Sequence, residues 1–279
     1  MKLGYTWLMR GFLVMALIGA SLSRGEAKES PDAEYRYRKA ADQGDAGAQF
    51  QLGAAYFAGE GAAKDPVQAF KWFRKAAEQG DAVAQFNLGL AYAGGVGVAK
   101  EPTRAVFWYR KAADQGDPDA QRNLALMYDT GEGVGEDPAK AAFWYRKAAD
   151  QGHARAQDNI GWLYAHGRGV DKDPAQAVGW FRKAADQGHV GALNNLAGMF
   201  SRGEGVAKNP VQAAFWYQKA AEKGEAFAQL NLGDAYLYGE GVAKDPARAA
   251  AWYRKAAGQG NAQAKDRLKT IDKAAKRPP

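Results

Sequence analysis

The chain has 279 residues, of which 47% are hydrophobic and 12% aromatic, and it contains no cysteine. It can therefore build an apolar core, but disulfides and cysteine-based catalytic or metal sites are excluded. The formal net charge of +7 comes from the two ends of the chain, and residues 28–260 hold nearly equal numbers of basic and acidic side chains. A near-neutral central region lacks the basic stripe of a nucleic-acid-binding protein, so we predict no nucleic-acid partner.

The first residues have the composition of a secretory signal. Lys2 and Arg10 supply positive charge, residues 11–22 are apolar, and small residues follow. Cleavage after Ser21, Ser23 or Ala27 is compatible with this pattern. The alternative is an uncleaved anchor, but Arg10 shortens the apolar run below the roughly 20 residues that span a bilayer. We predict a cleavable signal peptide over residues 1–27, a periplasmic or alternatively secreted protein, and no stable membrane span after cleavage.

A period of 36 residues organises the chain that follows. The dipeptide Gln-Gly recurs at this spacing, at Gln43, Gln79, Gln115, Gln151, Gln187 and Gln259, and Lys223 takes the remaining position. A fixed period of this length is typical of repeat arrays, in which stacked units share one continuous core. Most regular positions should therefore serve stacking, and function should be sought where the repeats differ.

Each unit predicts two helices joined by a glycine turn. In residues 81–116, Ala84, Leu88 and Tyr92 fall on one face of a first helix. A Gly-x-Gly turn ends this helix, because glycine adopts the positive φ that a helix stop requires. A proline begins the second helix, and in most units Asp or Asn precedes it as an N-cap.

Two further framework positions concern packing. The second helices share one tryptophan position, Trp72, Trp108, Trp144, Trp180, Trp216 and Trp252. A stripe of tryptophans could bind ligands, but equivalents in every unit at core spacing favour packing. In four first helices a glycine occupies one position, Gly53, Gly89, Gly161 and Gly233. Glycine inside a helix costs about 1 kcal/mol, so we expect a close approach between helices there.

These motifs resemble the Sel1-like repeat family, which is related to tetratricopeptide repeats. The pattern is Ala-x-Ala-Gln-x-x-Leu-Gly-x-x-Tyr, a Gly-x-Gly turn, Asp-Pro, and Ala-x-x-Trp-Tyr-x-Lys-Ala-Ala-x-x-Gly. The resemblance implies an all-α fold, a right-handed α-solenoid of paired antiparallel helices, with a scaffold or adaptor role. We predict an N-terminal capping half repeat at 28–44, six repeats over 45–260, and a C-terminal capping helix with a basic tail at 261–279.

Groups suited to catalysis are scarce. Ser201 is the only serine inside the array, and no serine has a lysine three residues later. The three histidines have no metal-ligand spacing. His153 and His189 fall at the first position of a unit, where Asp, Glu or Asn stands elsewhere, so we predict that they begin helices. The sequence thus predicts no enzyme, no metal and no cofactor.

One polar position recurs in successive first helices, at Asn87, Asn123, Asn159, Asn195 and Asn231. We expect these amides to face the concave wall of the array, where they could hydrogen-bond a partner's backbone without reading its side chains. Alternatively, each amide bonds the backbone of the neighbouring repeat. The sequence leaves both roles open.

The remaining candidates depart from the period: Arg155, Trp162, His166, Arg202, Phe227, Asp234 and Tyr238. Trp162 lies outside the framework tryptophan position, and tryptophan is enriched at interface hot spots, although it could equally fill space between helices. We predict a groove centred on Trp162, with Phe227 and Tyr238 as a second apolar patch. The predicted function is a non-enzymatic envelope scaffold that binds a peptide or protein partner in its concave groove. A regulator of an envelope sensor or of an assembly fits this prediction. The alternative is an envelope hydrolase or a cell-wall-ligand binder of the β-lactam or peptidoglycan type.

Overall fold

The computed structural model describes residues 33–275, so the predicted signal peptide, the start of the capping half repeat and the end of the basic tail lie outside the described residues. Those residues divide into two compact units, one extending to Lys147 and the other beginning at Ala148. Unit 1 contains α1 (Ala33–Asp42), α2 (Ala46–Ala58), α3 (Pro66–Glu78), α4 (Ala82–Gly94), α5 (Pro102–Asp114), α6 (Pro118–Thr130) and most of α7 (Pro138–Asp150). Unit 2 contains α8 (Ala154–His166), α9 (Pro174–Asp186), α10 (Val190–Arg202), α11 (Pro210–Glu222), α12 (Ala226–Tyr238), α13 (Pro246–Gly258) and α14 (Ala262–Ala275).

The predicted all-α solenoid class is confirmed. Residues 33–275 form helices and connecting turns, with no strand among them. From α1 to α6, and again from α8 to α14, each helix contacts the next along the chain. Because the connections are short, neighbouring helices run antiparallel, and each repeat forms one helix pair.

The predicted start and stop signals act as expected. The side chain of Asp81 accepts a hydrogen bond of 2.6 Å from the backbone N–H of Ala84, and α4 ends at Gly95 with a φ of 71°. The Nδ1 atoms of His153 and His189 accept the corresponding N–H groups at the starts of α8 and α10, at 3.1 and 3.3 Å. The predicted helix-start role of both histidines is therefore confirmed.

The packing role of the framework residues is also confirmed. Trp72, Trp144, Trp180 and Trp216 are buried, and Trp108 and Trp252 are half-buried. A Cβ atom added to Gly89 would lie 2.5 Å from the ring of Tyr109 on the partner helix. Glycine is required there because the tyrosine ring lies directly against the backbone of α4. The same holds at Gly161, where an added Cβ would lie 2.9 Å from Phe181.

The recurring Gln-Gly glutamine has a structural role. Gln79 donates from Nε2 to Oε1 of Gln49 at 2.7 Å, and Gln49 in turn donates to the carbonyl of Ala41 at 3.0 Å. The same side-chain pair joins Gln115 to Gln85, Gln187 to Gln157, and Gln259 to Gln229. The repeat of α10 and α11 lacks both partners, with Leu193 at the first position and Lys223 at the second. The two departures therefore remove one interaction rather than leaving half of it unsatisfied.

Candidate functional site

Unit 2 contains a pocket of about 300 Å³ bounded by helices α8 to α12. Its polar lining consists of His166, Asn194, Asn195, Arg202, Tyr217 and Asn231, and its apolar lining of Trp162, Ala165, Phe181, Gly198 and Met199. The lining includes Trp162, His166, Asn195, Arg202 and Asn231 from the residues predicted from the sequence. The structure thus brings together the predicted centre of the groove, two of its charged or aromatic neighbours and two members of the asparagine row.

The aromatic wall of the pocket is built by α8. The rings of Trp162 and His166 stack with centroids 4.1 Å apart and planes inclined by 23°. Nδ1 of His166 lies 2.9 Å from the carbonyl oxygen of Trp162, which fixes the histidine ring over the tryptophan. Trp162 is half-buried and packs against the core of α9 to α12. One part of its indole is therefore held by the protein while another part faces the pocket.

Arg202 is the last residue of α10, at the repeat position that His166 holds in α8. Its Nε and Nη2 atoms contact the two carboxylate oxygens of Glu204 at 2.9 and 3.0 Å. The hydrogen bond from Arg202 holds the pKa of the Glu204 carboxyl below its usual value, so this group is charged at neutral pH. The third guanidinium nitrogen, Nη1, lies over Gly198, where an added Cβ would approach it to 2.8 Å. The glycine therefore makes room for the arginine at the pocket.

Amide and hydroxyl groups line the floor. Asn195 donates from Nδ2 to Asp158 at 2.9 Å, so its side-chain oxygen keeps acceptor capacity. The side-chain oxygen of Asn194 is buried without a hydrogen-bond partner among the described residues. Burial raises the pKa of Tyr217, so its hydroxyl is neutral and able to donate. With Asn231, these groups offer both donors and acceptors to a ligand.

The half-buried carboxyl group of Asp158 contacts one of these amides. Burial raises the pKa of Asp158 to about 6, although the hydrogen bond from Asn195 opposes that shift. Its Oδ2 atom lies 3.6 Å from Nδ1 of His189, the N-cap of α10. Asp158 thus connects α8 to α10 through Asn195, whose amide it orients.

The asparagine row does not behave uniformly. Asn87 is buried and donates to the carbonyl of Val83 in its own helix at 2.8 Å. Asn123 accepts from Arg122 at 2.8 Å, and Asn159 is half-buried. Asn195 and Asn231 are the members that line the unit 2 pocket. A position that repeats in sequence therefore takes different partners in different repeats.

Two other predicted residues hold the end of unit 2 together. Asp234 accepts a hydrogen bond from the hydroxyl of Tyr253 at 2.6 Å and pairs with Arg267 of α14 at 3.1 Å. The guanidinium of Arg267 also lies over the ring of Tyr238, 5.9 Å from its centroid. Burial and the bond to Asp234 raise the pKa of Tyr253. Leu268 and Ile271 of α14 are partly buried against the same core, and the capping role of this helix stays a prediction.

The remaining predicted residues lie outside the pocket. Arg155 is exposed at the start of α8. Phe227 and Tyr238 are 61% and 54% exposed, but they stand at opposite ends of α12, about 16 Å apart along its axis. They do not form one contiguous patch. Among residues 33–275, no helix is long and apolar enough to cross a membrane, and no cluster of His, Asp and Glu side chains could hold a metal ion.

Asn194 and Gly198 were not among the residues predicted from the sequence. Gly198 stands out when its position is compared with that of the repeat three units earlier. A groove at the equivalent place in unit 1 holds only about 20 Å³ and is lined in part by Phe57, Phe73 and Leu90. The residues 108 positions later are Ala165, Phe181 and Gly198. The sequence signal for the open groove of unit 2 is that Ala165 and Gly198 stand where unit 1 has the large side chains of Phe57 and Leu90.

Helix pairs that recur every 36 residues define a helical-repeat protein. The Sel1 repeat family model matches residues 37–45, 46–81, 82–117, 118–153, 154–189, 190–225 and 226–261. The chain belongs to the Sel1 repeat family. Proteins of this family are generally scaffolds for protein interactions and are typically non-catalytic.

Two solved structures are similar over most of the chain. One is a protective antigen present in uropathogenic Escherichia coli strains and displaying an SLR fold, with 42% identity and a TM-score of 0.83 over 88% of this chain and 52% of that one. The present chain therefore spans about half the length of that relative. The other is a Sel1 repeat protein from Oxalobacter formigenes, with 34% identity and a TM-score of 0.70 over 82% of this chain and 97% of that one. No curated protein matches the chain.

Proposed function

We propose that the chain is an exported, non-enzymatic scaffold of the cell envelope that docks a polypeptide segment of a partner protein in the unit 2 pocket. The observation that carries this proposal is the pocket itself, in which Trp162, His166, Asn195, Arg202 and Asn231 surround one open volume. Export rests on the signal-like composition of residues 1–27. A regulator of an envelope sensor, or an assembly factor, fits this description.

The pocket has the chemistry to bind a peptide. A peptide group offers one donor and one acceptor, and an asparagine amide offers the complementary pair. The stacked Trp162 and His166 present an aromatic surface for an apolar side chain. A volume of about 300 Å³ stands at the lower end of ligand sites, so it suits one or two residues of a segment rather than a folded surface.

The alternative of an envelope hydrolase or cell-wall-ligand binder finds less support. A hydrolytic site needs a nucleophile or a pair of carboxylates that face the substrate. The lining of the pocket contains neither a carboxylate nor a serine. A turnover assay on the purified protein with peptidoglycan and β-lactam substrates tests this alternative, and measurable hydrolysis would contradict the scaffold proposal.

Docking is tested by filling the pocket with the residues that close the groove of unit 1. The double variant Ala165→Phe, Gly198→Leu should lose the partner in affinity capture from the native envelope. Gly179→Phe is the matched control, because Gly179 is exposed with open space around it and three other repeats carry phenylalanine at that position. Equal capture by the filled variant and the wild type would contradict docking in the pocket.

Export is tested separately. N-terminal sequencing of the protein recovered from its native host should give a chain that begins after residue 21, 23 or 27. Recovery of the intact N-terminus from the cytosolic fraction would contradict export while leaving the docking site unaffected.

A further inference from the structure

The arginine of the pocket is a departure from the repeat, whereas its carboxylate partner is not. Other repeats have Glu60, Glu132 and Glu240 at the turn position of Glu204. At the position of Arg202 they have Ala58, Gly94, Thr130, His166 and Tyr238. The glutamate thus belongs to the common turn, and the arginine was added to it in the one repeat that forms the central wall of the pocket.

The ion pair between Arg202 and Glu204 is weak enough for another carboxylate to displace Glu204. Arg202 and Glu204 are 57% and 50% exposed, and exposed ion pairs contribute little net free energy because water competes for both charges. The fork geometry nevertheless shows that a carboxylate fits the guanidinium at this place. A second carboxylate that approaches from the pocket can therefore replace that of Glu204 at small cost.

One nitrogen of the Arg202 guanidinium can bind a ligand carboxylate. Nη1 lies over Gly198 and has no hydrogen-bond acceptor among the described residues. Arg202 is the only Lys or Arg in the lining, and no carboxylate lines the pocket to oppose an anion. The half-buried carboxyl of Asp158 already accepts a hydrogen bond from Asn195.

Resting on the proposed docking function, we propose that the pocket selects a polypeptide segment with an acidic residue, whose side-chain carboxylate binds Arg202 in competition with Glu204. The Trp162 and His166 stack then takes a neighbouring side chain, and the asparagine amides take the backbone. Glu204 acts as an internal competitor that occupies Arg202 until the acidic segment arrives.

This arrangement predicts opposite effects for the two members of one ion pair. Arg202→Gln removes the charge that the ligand needs, so it should lower retention of an acidic peptide. Glu204→Gln removes the competitor, so it should raise that retention. A role of the ion pair in stability alone would move both variants in the same direction. Arg254→Gln and Glu240→Gln are matched charge controls, because both residues are exposed, and neither lines the pocket.

The probes are two pools of end-blocked nine-residue peptides with mixed flanking residues, one with a central Glu and the other with a central Gln. Immobilised full-length protein is incubated with equal amounts of both pools, and retained peptides are counted by mass spectrometry. The wild type should retain the Glu pool about three- to tenfold better than the Gln pool, which corresponds to one charge-assisted contact. Arg202→Gln should reduce this ratio to about one, Glu204→Gln should increase it, and the increase should fade at high salt.

The outcomes separate the two proposals. If the Ala165→Phe, Gly198→Leu variant loses both pools but the wild type retains them equally, docking stands and selection of an acidic residue is overturned. A decrease in Glu-pool retention in Glu204→Gln also overturns it. Both proposals are overturned if the wild type retains neither pool, or if the filled variant retains the pools as well as the wild type does.

Discussion

The same place in the repeat is closed in unit 1 and open in unit 2. In unit 1, Phe57 and Leu90 reduce the groove to about 20 Å³. In unit 2, Ala165 and Gly198 occupy the equivalent positions, and the volume is about 300 Å³. The ring beneath the groove is kept, as Phe73 in one unit and Phe181 in the other. The framework therefore builds a groove, and a few side chains decide whether the groove is available to a partner.

The repeat that forms the central wall of the open pocket also departs from the framework elsewhere. Leu193 and Lys223 replace the glutamine pair, Ala197 replaces the close-approach glycine, and Phe200 replaces a framework tyrosine. Leu193, Ala197 and Phe200 remain buried in the unit 2 core. The core thus tolerates these changes while α10 also carries Asn194, Gly198 and Arg202, which line the pocket.

The largest expected effect is a difference in unfolding free energy between variants of a packing tryptophan and of the pocket tryptophan. Trp216→Ala should lower the free energy of unfolding by about 3–5 kcal/mol, because its indole is buried in the unit 2 core. Trp162→Ala should cost clearly less, since part of its indole faces the pocket, but it should weaken peptide retention. Urea unfolding followed by circular dichroism measures both. Equal destabilisation by the two variants would show that Trp162 is a packing residue.

A smaller effect concerns the half-buried carboxyl of Asp158, which contacts Asn195 of the pocket. The folded state raises the pKa of Asp158 to about 6, so it binds the proton more tightly than the unfolded chain, whose carboxyl has a pKa of about 4. Its contribution to stability is therefore present below about pH 4 and lost as the pH rises to about 6. Asp158→Asn should match the wild type at pH 4 and exceed it by about 2 kcal/mol above pH 6.

Asparagine is compatible with this position of the repeat, because Asn194 occupies it one repeat later. The wild-type chain is the reference. Unfolding at a series of pH values gives the two curves. A constant difference between Asp158→Asn and the wild type from pH 4 to pH 7 would contradict the raised pKa.

The smallest expected effect restores the missing glutamine pair. Leu193→Gln with Lys223→Gln recreates the bond that joins Gln49 to Gln79 in unit 1, and a hydrogen bond of this kind contributes about 0.5–1.5 kcal/mol. Leu193→Gln alone should destabilise, because the side-chain oxygen of the new glutamine would be buried without its donor. The two changes should therefore couple favourably in a double-mutant cycle. Additive effects would show that the paired departures are unrelated.

Much of the fold could be predicted from the sequence, because each framework residue repeats. The N-caps, the turn glycines, the buried tryptophans and the close approach at Gly89 all follow from residue type and spacing. The pocket was only partly predicted. Trp162, His166 and Arg202 were recognised as departures, but a missing side chain, as at Gly198, carries no signal until it is compared with Leu90.

Departures from the period also proved to be of two kinds. Asp234 and Tyr238 differ from their equivalents, and Arg267 of α14 contacts both. Their variation thus has an intramolecular explanation in the packing of the capping helix. Regularity was equally ambiguous, since Asn87 bonds its own helix whereas Asn195 faces the pocket. Sequence spacing gives the position of a side chain on a helix, but its partners depend on the neighbouring repeat.

The most direct test of the central claim, that the open groove of unit 2 carries recognition, measures peptide retention and the unfolding midpoint on the same sample of the Ala165→Phe, Gly198→Leu variant. The account predicts that retention of both peptide pools is lost while the midpoint stays close to that of Gly179→Phe. The unit 1 groove accommodates the same two side chains, and the exposed side chain of Arg202 can move away from the new leucine. Retention at the wild-type level in a folded variant would contradict it.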